Sequence, residues 1–316
     1  MKNIFVTGAN GLLGTNLINL LLEKDHKVRA YMRNSAGYKG AQSSNLEIIR
    51  GNLPDNMLSR HLNGIDAVVH IAAQTAVNLI SYKEYHDINC VASVALCEAA
   101  IEAGVKRFVY ISSANTRAHG SACENGNENK SYRYPFTDLL YARSKMMAEQ
   151  CILAYRNRID VVILNPAFMI GAFDAKPGSG KIITRALGRR WIFYPPGGKN
   201  FVHVSDVARA IIASFIYAVP GERYLIANEN LTYKEFYTKL GDITGQHQIL
   251  ICMPSGDVLR FFGIKTVLSS VNMRILGLCN FYSNLKSIEV LGIEYQPVEE
   301  AIAEAVAWFK ENSSNS

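Results

Sequence analysis

Short apolar runs alternate with longer stretches of helical period through the first half of the chain. The strand-like runs are 3–7, 27–33, 46–49, 67–71, 107–112 and 160–165, and helical stretches fall between them at 12–22, 82–103 and 139–156. Strands that alternate with helices form a parallel sheet covered on both faces. Ala67-Val68-Val69 and Val161-Val162-Ile163-Leu164 are apolar at consecutive positions, as strands buried on both faces require. The pattern predicts an α/β fold built on a doubly wound parallel sheet.

After Pro166 the pattern breaks into shorter, mixed elements, with Gly and Pro clustered at 176–180 and 194–198. Residues 1–166 are read as a cofactor-binding domain. Residues 167–316 are read mainly as a smaller mixed α/β substrate domain, interwoven with the first because 201–218 return to it. Residues 201–204 read as a strand, with Ser205 or Asp206 as N-cap of the helix that follows. The polar tail 312–316 is expected to fray.

Composition narrows the class. Apolar residues make up 49% of the chain and charged residues 19%, as in ordinary globular proteins. A net charge of +6 suits an anionic cofactor or substrate and, read as diffuse, gives no nucleic-acid footprint. The six cysteines form no CxxC pair and no zinc spacing, so no metal is expected. Scattered thiols, and a start at the apolar run Ile4-Phe5-Val6 without signal-peptide architecture, lead to the expectation of a reducing, cytoplasmic setting. No apolar run approaches the roughly 20 residues that span a bilayer, so stable membrane insertion is not expected.

Thr7-Gly8-Ala9-Asn10-Gly11-Leu12-Leu13-Gly14 follows the first strand and opens an apolar helix. That is the context of a dinucleotide loop. Gly8 permits the tight turn, Gly11 lets backbone approach a pyrophosphate, and Gly14 lets helix and strand pack closely. The helix start supplies free amide donors and the positive dipole end. The fold class is therefore a doubly wound parallel Rossmann sheet carrying the smaller mixed α/β C-terminal domain. At the end of the second strand, where NAD-preferring sites carry a carboxylate, the chain reads Tyr31-Met32-Arg33. Arg33 is placed to meet a 2′-phosphate, so NADP is expected, with NAD as the alternative.

Tyr141 and Lys145 lie four apart, one above the other on a helix. A tyrosine near pKa 10 is a poor base at neutral pH, and a neighbouring ammonium lowers it. Upstream, Ile111-Ser112-Ser113 ends a buried strand with hydroxyls at its carboxyl end, where open α/β sheets bind ligands. A YxxxK pair alone is weak evidence. After a GxxGxxG loop and a strand-end serine, in that order, it becomes specific.

With these motifs the sequence resembles an extended short-chain dehydrogenase/reductase of the NAD(P)-dependent epimerase/dehydratase superfamily, in its dihydroflavonol-reductase-like branch. Further markers are Gly51-Asn52-Leu53, His70-Ile71-Ala72-Ala73, Asn89, residues 201–208, Gly221-Glu222-Arg223-Tyr224 and Glu229-Asn230-Leu231-Thr232. The resemblance implies Ser113 as catalytic serine, Tyr141 as general acid/base and Lys145 as ribose holder. For the cofactor it implies Gly8, Asn10, Gly11, Leu12, Leu13 and Gly14 at the pyrophosphate and Arg33 at the ribose end. It places Asn52 and Leu53 at the adenine, Ala72, Ala73 and Gln74 along the dinucleotide, Asn89 in the active-site network, and Pro166 with Phe168 beside the nicotinamide. A homodimer packed through 82–103 and 139–156 is also implied.

The departures point to the substrate. Nucleotide-sugar members of this superfamily commonly carry an Asn where this chain has Phe168, and an Arg-Asp pair where it has Lys199-Asn200. An aromatic ring in place of an amide makes the pocket more apolar. These losses favour hydride transfer between NADPH and a carbonyl or alcohol substrate, in the manner of dihydroflavonol reductases. A nucleotide-sugar epimerase or dehydratase using the same residues is the alternative, and a non-catalytic NADP-sensing protein a second one, disfavoured by the intact Ser/Tyr/Lys set. Lys181, Arg185, Arg189 and Arg190 form a basic cluster in which Arg185 and Arg189 share a helical face, suited either to an anionic substrate or to solvent. His119 is a candidate acid/base, 121–133 reads as a lid or surface loop, and the apolar stretch 258–278 as helices covering the pocket.

Overall fold

The computed structural model describes residues 1–53, 58–75, 81–121, 123–254 and 270–313. In chain order the first half runs β1 (Asn3–Thr7), α1 (Leu12–Glu23), β2 (Lys27–Met32), β3 (Leu46–Arg50), α2 (Leu58–His61), β4 (Ala67–His70), α3 (Tyr82–His86), α4 (Ala92–Glu102), β5 (Arg107–Ile111), α5 (Leu140–Leu153) and β6 (Asp160–Pro166). The second half runs β7 (Phe168–Ile170), α6 (Lys181–Thr184), β8 (Trp191–Tyr194), β9 (Gly198–His203), α7 (Val204–Ser214), β10 (Arg223–Ile226), β11 (Glu229–Thr232), α8 (Tyr233–Thr244), β12 (Ile249–Cys252) and β13 (Cys279–Asn280), with helices at Ser270–Leu276, Leu285–Leu291 and Val298–Ser313.

The main sheet has seven strands in the order β10-β6-β5-β4-β1-β2-β3, all parallel. The order reverses between β1 and β4, which is where such sheets open a crevice at the carboxyl ends of their strands. Alternation along β1 supplies both faces. Ile4 and Val6 pack with Leu17 of α1 and Val207 and Ile211 of α7. Phe5 packs on the other side with Val68, Phe108, Leu96 of α4 and Ile152 of α5. β10 lies outside the predicted strands and adds to the free edge of β6.

The helix expected over 82–103 is interrupted. A π turn at Asp87–Val91 separates α3 from α4. Such a turn inserts one residue into the helical ladder and is frequent at functional sites. Here it carries the fully buried Asn89.

The C-terminal part is built around β9, which pairs with β11 antiparallel and with β7 and β13 parallel. Phe201 and Phe236 stack at its centre with ring centroids 4.5 Å apart, and Val298, Ile302 and Phe309 of the last helix close this core. The parallel pair β8 and β12 stands apart as a two-stranded ribbon.

Three expectations are corrected. The N-cap of α7 is His203, not Ser205 or Asp206: its Nδ1 accepts from Ser205 N at 3.1 Å, and the cap lies two or three positions earlier than predicted. Asp206 lies in the first turn, where it pairs with Arg209. Arg185 and Arg189 do not share a helix, because α6 ends at Thr184 and Gly188 turns the chain with φ +72°. The segment around 121–133 is anchored rather than a free lid: Gly120 N and Gly126 N both donate to Phe281 O at 3.0 Å, and Glu128 accepts from Leu225 N at 2.8 Å. Of the apolar stretch 258–278, residues 258–269 lie outside the described residues; the helix Ser270–Leu276 places Ile275 against Phe136 and Ala142, by the start of α5.

Candidate active site

The loop after β1 is a tight backbone cradle. Gly8 has φ +68°, and a Cβ there would lie 2.7 Å from Ala72 N. A Cβ on Gly14 would lie 2.3 Å from Gly8 O and 2.7 Å from Ala9 Cα. Gly11 caps α1 with no side-chain bond to the first-turn amides. An anion is the natural partner for such unpartnered donors at a helix start, so this loop fits the pyrophosphate of a dinucleotide. Leu13 is buried beneath the loop, Leu12 packs against the same core, and Asn10 Nδ2 donates to Asn34 O at 2.8 Å, tying the loop to the end of β2. Arg33 is exposed there. Tyr31 donates to Asn52 O at 3.0 Å, leaving the Asn52 side chain exposed beside the half-buried Leu53. Gly14→Ala is expected to raise the Kd for the nicotinamide dinucleotide about tenfold or more, since overpacking against backbone costs about 1–3 kcal/mol. Calorimetric titration checks this, and an unchanged Kd contradicts the cradle.

A buried polar chain runs from the end of β1 to α5. Thr7 Oγ1 accepts from Ile71 N and Ala72 N, both at 3.2 Å. Its one hydrogen is therefore left for His70 Nδ1 at 2.6 Å. That assigns the proton to His70 Nε2, which meets Ser93 Oγ at 2.7 Å, and Ser93 donates to Asn89 O at 2.8 Å. Burial, with Lys145 adding to it, holds His70 down to about 3, so the ring is neutral. The Asn89 side chain accepts from Gln74 N at 2.7 Å and donates to Gln74 O at 3.1 Å and Ser144 Oγ at 2.9 Å. Ser144 donates to Tyr141 O at 2.7 Å. Asn89 is thus a bridge between the Ala72-Ala73-Gln74 segment and α5.

Ser113, Tyr141 and Lys145 converge at the ends of β5 and α5. Burial pushes the Tyr141 phenol up to about 12, and the Ser113 side chain pulls it back by a hydrogen bond. Lys145 is 2% exposed. Its Nζ donates to Ile111 O at 2.8 Å and stands 4.7 Å above the Tyr110 ring. Burial lowers it to about 7, against the pull of Glu149. The Tyr141/Lys145 spacing predicts a phenol lowered by the ammonium. In the structure burial outweighs every neighbour, and the phenol keeps its proton.

Glu149 was not singled out from sequence, although it continues the Tyr141/Lys145 face by another four residues. It is fully buried. Oε1 accepts from Ser112 Oγ at 2.6 Å, Thr116 Oγ1 at 2.7 Å and Asn165 Nδ2 at 2.6 Å. Oε2 accepts from Arg117 Nη2 and Arg223 Nε, both at 3.0 Å. Asn165 also donates to Ser113 O at 3.2 Å. The carboxylate ties together β5, β6, β10 and the turn that carries Ser113.

Pro166 ends β6, and Phe168 stands edge-on to Phe201 with centroids 5.6 Å apart. Lys199 Nζ lies 4.9 Å from the Phe168 ring centre, and burial lowers its pKa to about 8. His119 is 8% exposed, its Nδ1 lies 3.1 Å from Gly120 O, and burial lowers its pKa. Lys181, Arg185, Arg189 and Arg190 are all exposed.

A seven-stranded Rossmann sheet, a glycine cradle at its first turn and a Ser/Tyr/Lys cluster at the strand ends define an NAD(P)-dependent enzyme of the extended short-chain dehydrogenase type. Residues 4–227 match the model of the NAD dependent epimerase/dehydratase family, and the chain belongs to that family. A Synechocystis sp. protein carrying the name dihydroflavonol 4-reductase is 29% identical, over 97% of this chain and 94% of the relative. Sterol demethylase protein B of Methylococcus capsulatus is 30% identical, over 97% of this chain and 98% of the relative. The crystal structure of gox2253 superposes with a TM-score of 0.83 at 26% identity, covering 99% of both chains. No helix among the described residues is long and apolar enough to cross a membrane.

Proposed function

We propose that this enzyme is an NADP-dependent oxidoreductase that reduces a carbonyl, reversibly, on an apolar substrate without a nucleotide handle. The observation that carries the reading is Phe168. An aromatic ring edge-on to Phe201 stands where nucleotide-sugar members commonly carry a polar anchor. The names of two full-length relatives, a dihydroflavonol reductase and a sterol demethylase protein, agree with an apolar ring system as substrate.

A bound nicotinamide dinucleotide supplies the hydride. Tyr141, which keeps its proton, gives it from Oη to the oxygen of the forming alcohol. Ser113 donates a hydrogen bond to the same oxygen. Lys145 holds ribose hydroxyls, with Asn89 bracing α5 against Gln74 behind it. The glycine loop takes the pyrophosphate, Asn52 and Leu53 the adenine end, and Ala72, Ala73, Pro166 and Phe168 the length of the cofactor. The protein works as a homodimer through the faces of the π turn, α4 and α5, where Val91 and Met147 are exposed.

Arg33 selects NADP through its charge. Arg33→Ala is expected to raise the Kd for NADPH about tenfold or more while leaving NADH unchanged, because charge-assisted hydrogen bonds contribute about 1.5–3 kcal/mol. Similar NADPH and NADH affinities in both proteins contradict the preference. Lys199, a half-buried cation over Phe168, favours the second reading, an epimerase or dehydratase acting on an anionic nucleotide sugar. Net NADPH oxidation with flavanonols or 3-oxosteroids supports the reductase. Interconversion of nucleotide sugars without net oxidation overturns it.

A further inference from the structure

The outer face of the β8/β12 ribbon carries aromatic side chains where solvent is expected. Ile192 and Tyr194 turn inward, whereas Trp191 and Phe193 are 53% and 59% exposed. Ile249, opposite Trp191 in the ribbon, is 38% exposed. Large apolar side chains grouped on one surface mark a contact site.

The turn that enters this ribbon is basic. Residues 175–205 hold Lys176, Lys181, Arg185, Arg189, Arg190 and Lys199 and no acidic residue, a formal charge equal to the whole chain's +6. The rest of the chain is balanced; of these six, Lys199 stands over Phe168, and Lys181, Arg185, Arg189 and Arg190 are exposed. Arg189 and Arg190 form the turn that leads into Trp191. That turn is held to the ribbon by Ile249 N donating to Arg190 O at 2.7 Å and by Gln248 Nε2 donating to Arg189 O at 3.2 Å. Arg185, Arg189 and Arg190 form no ion pair with a described residue.

We propose that this ribbon and its basic turn are a docking surface for an anionic lipid bilayer. Tryptophan beside phenylalanine suits the interfacial zone, where an apolar ring enters the acyl boundary and the indole N–H stays among polar groups. Arginines flanking the rings reach lipid phosphates, and the negative surface potential of anionic lipids attracts each of them. A second copy of the chain is the poorer occupant, because pairing two such faces sets Arg189 and Arg190 of each against the other. The surface is independent of the reaction assigned to Tyr141, so the two ideas stand or fall separately.

Flotation of the full-length protein with phosphatidylcholine vesicles, with and without phosphatidylglycerol, tests the proposal. Wild type is expected to float with the phosphatidylglycerol vesicles only, and to be released by raised salt. Arg189→Glu with Arg190→Glu, and separately Trp191→Ser with Phe193→Ser, are each expected to lower the bound fraction about tenfold, with unchanged melting temperature and NADP(H) affinity. Failure of wild type to bind, or folded variants that bind as wild type does, overturns the proposal. So does a wild-type dimer in sedimentation that Trp191→Ser with Phe193→Ser makes monomeric and that ignores vesicles.

Discussion

Tyr141→Phe is expected to lower kcat about a thousandfold, within the 10²–10⁴ range of general acid catalysis, while the Kd for NADPH stays within about twofold of wild type. The phenol is the proton donor in this account, and phenylalanine removes only the Oη. The half-buried ring stays in place, and Ser144 still bonds the backbone carbonyl of residue 141. Lys145 keeps Ile111 O and the Tyr110 face, so the proposed ribose contact survives. Steady-state kinetics beside calorimetric titration separates the two effects. Unchanged turnover removes Tyr141 from the chemistry, and a parallel loss of cofactor affinity assigns it a binding role instead.

Glu149→Leu is expected to destabilise the fold by about 3–5 kcal/mol, the cost of breaking a buried ion pair from one side. Arg117 is held below its ordinary pKa range by burial, with Glu149 opposing that shift. Without the carboxylate, its guanidinium and the Ser112, Thr116 and Asn165 donors lose their common acceptor. Urea unfolding followed by circular dichroism reads the loss, and a change within about 0.5 kcal/mol, as at an ordinary surface position, contradicts it. Glu149→Gln separates charge from shape. A negative charge favours the ammonium form of Lys145, so its removal lowers the Lys145 pKa below its value of about 7. An activity limb governed by Lys145 therefore moves to lower pH in Glu149→Gln. A limb that stays in place disconnects Lys145 from that titration.

Much of this was legible in the sequence because it rests on local pattern. The glycine spacing, the strand before it and the helix after it are contiguous, so Gly8, Gly11 and Gly14 could be placed without tertiary information. Strand ends moved by a residue or so, as when β2 ended at Met32 rather than Arg33. What escaped depends on partners far along the chain. The Asp87–Val91 π turn is accompanied by the contact of Asn89 with Gln74 and Ser144, which no local propensity encodes. The donors of Glu149 come from residues 112, 116, 117, 165 and 223. Its spacing from Lys145 was visible, but its burial was not. β10 is four residues long and gains its register only from the edge of β6. The α7 cap was misplaced because an imidazole accepted the amide that a serine or aspartate commonly takes.

The central claim is that the enzyme takes a carbonyl compound without a nucleotide. Calorimetric titration of the NADP-saturated protein with UDP, dTDP and GDP tests it most directly. The account predicts no binding heat for any of the three, with NADP itself bound. Saturable, tight binding of one of them would mean that a nucleotide pocket persists around Phe168 and Lys199, and would contradict the reductase assignment in favour of nucleotide-sugar epimerisation or dehydration.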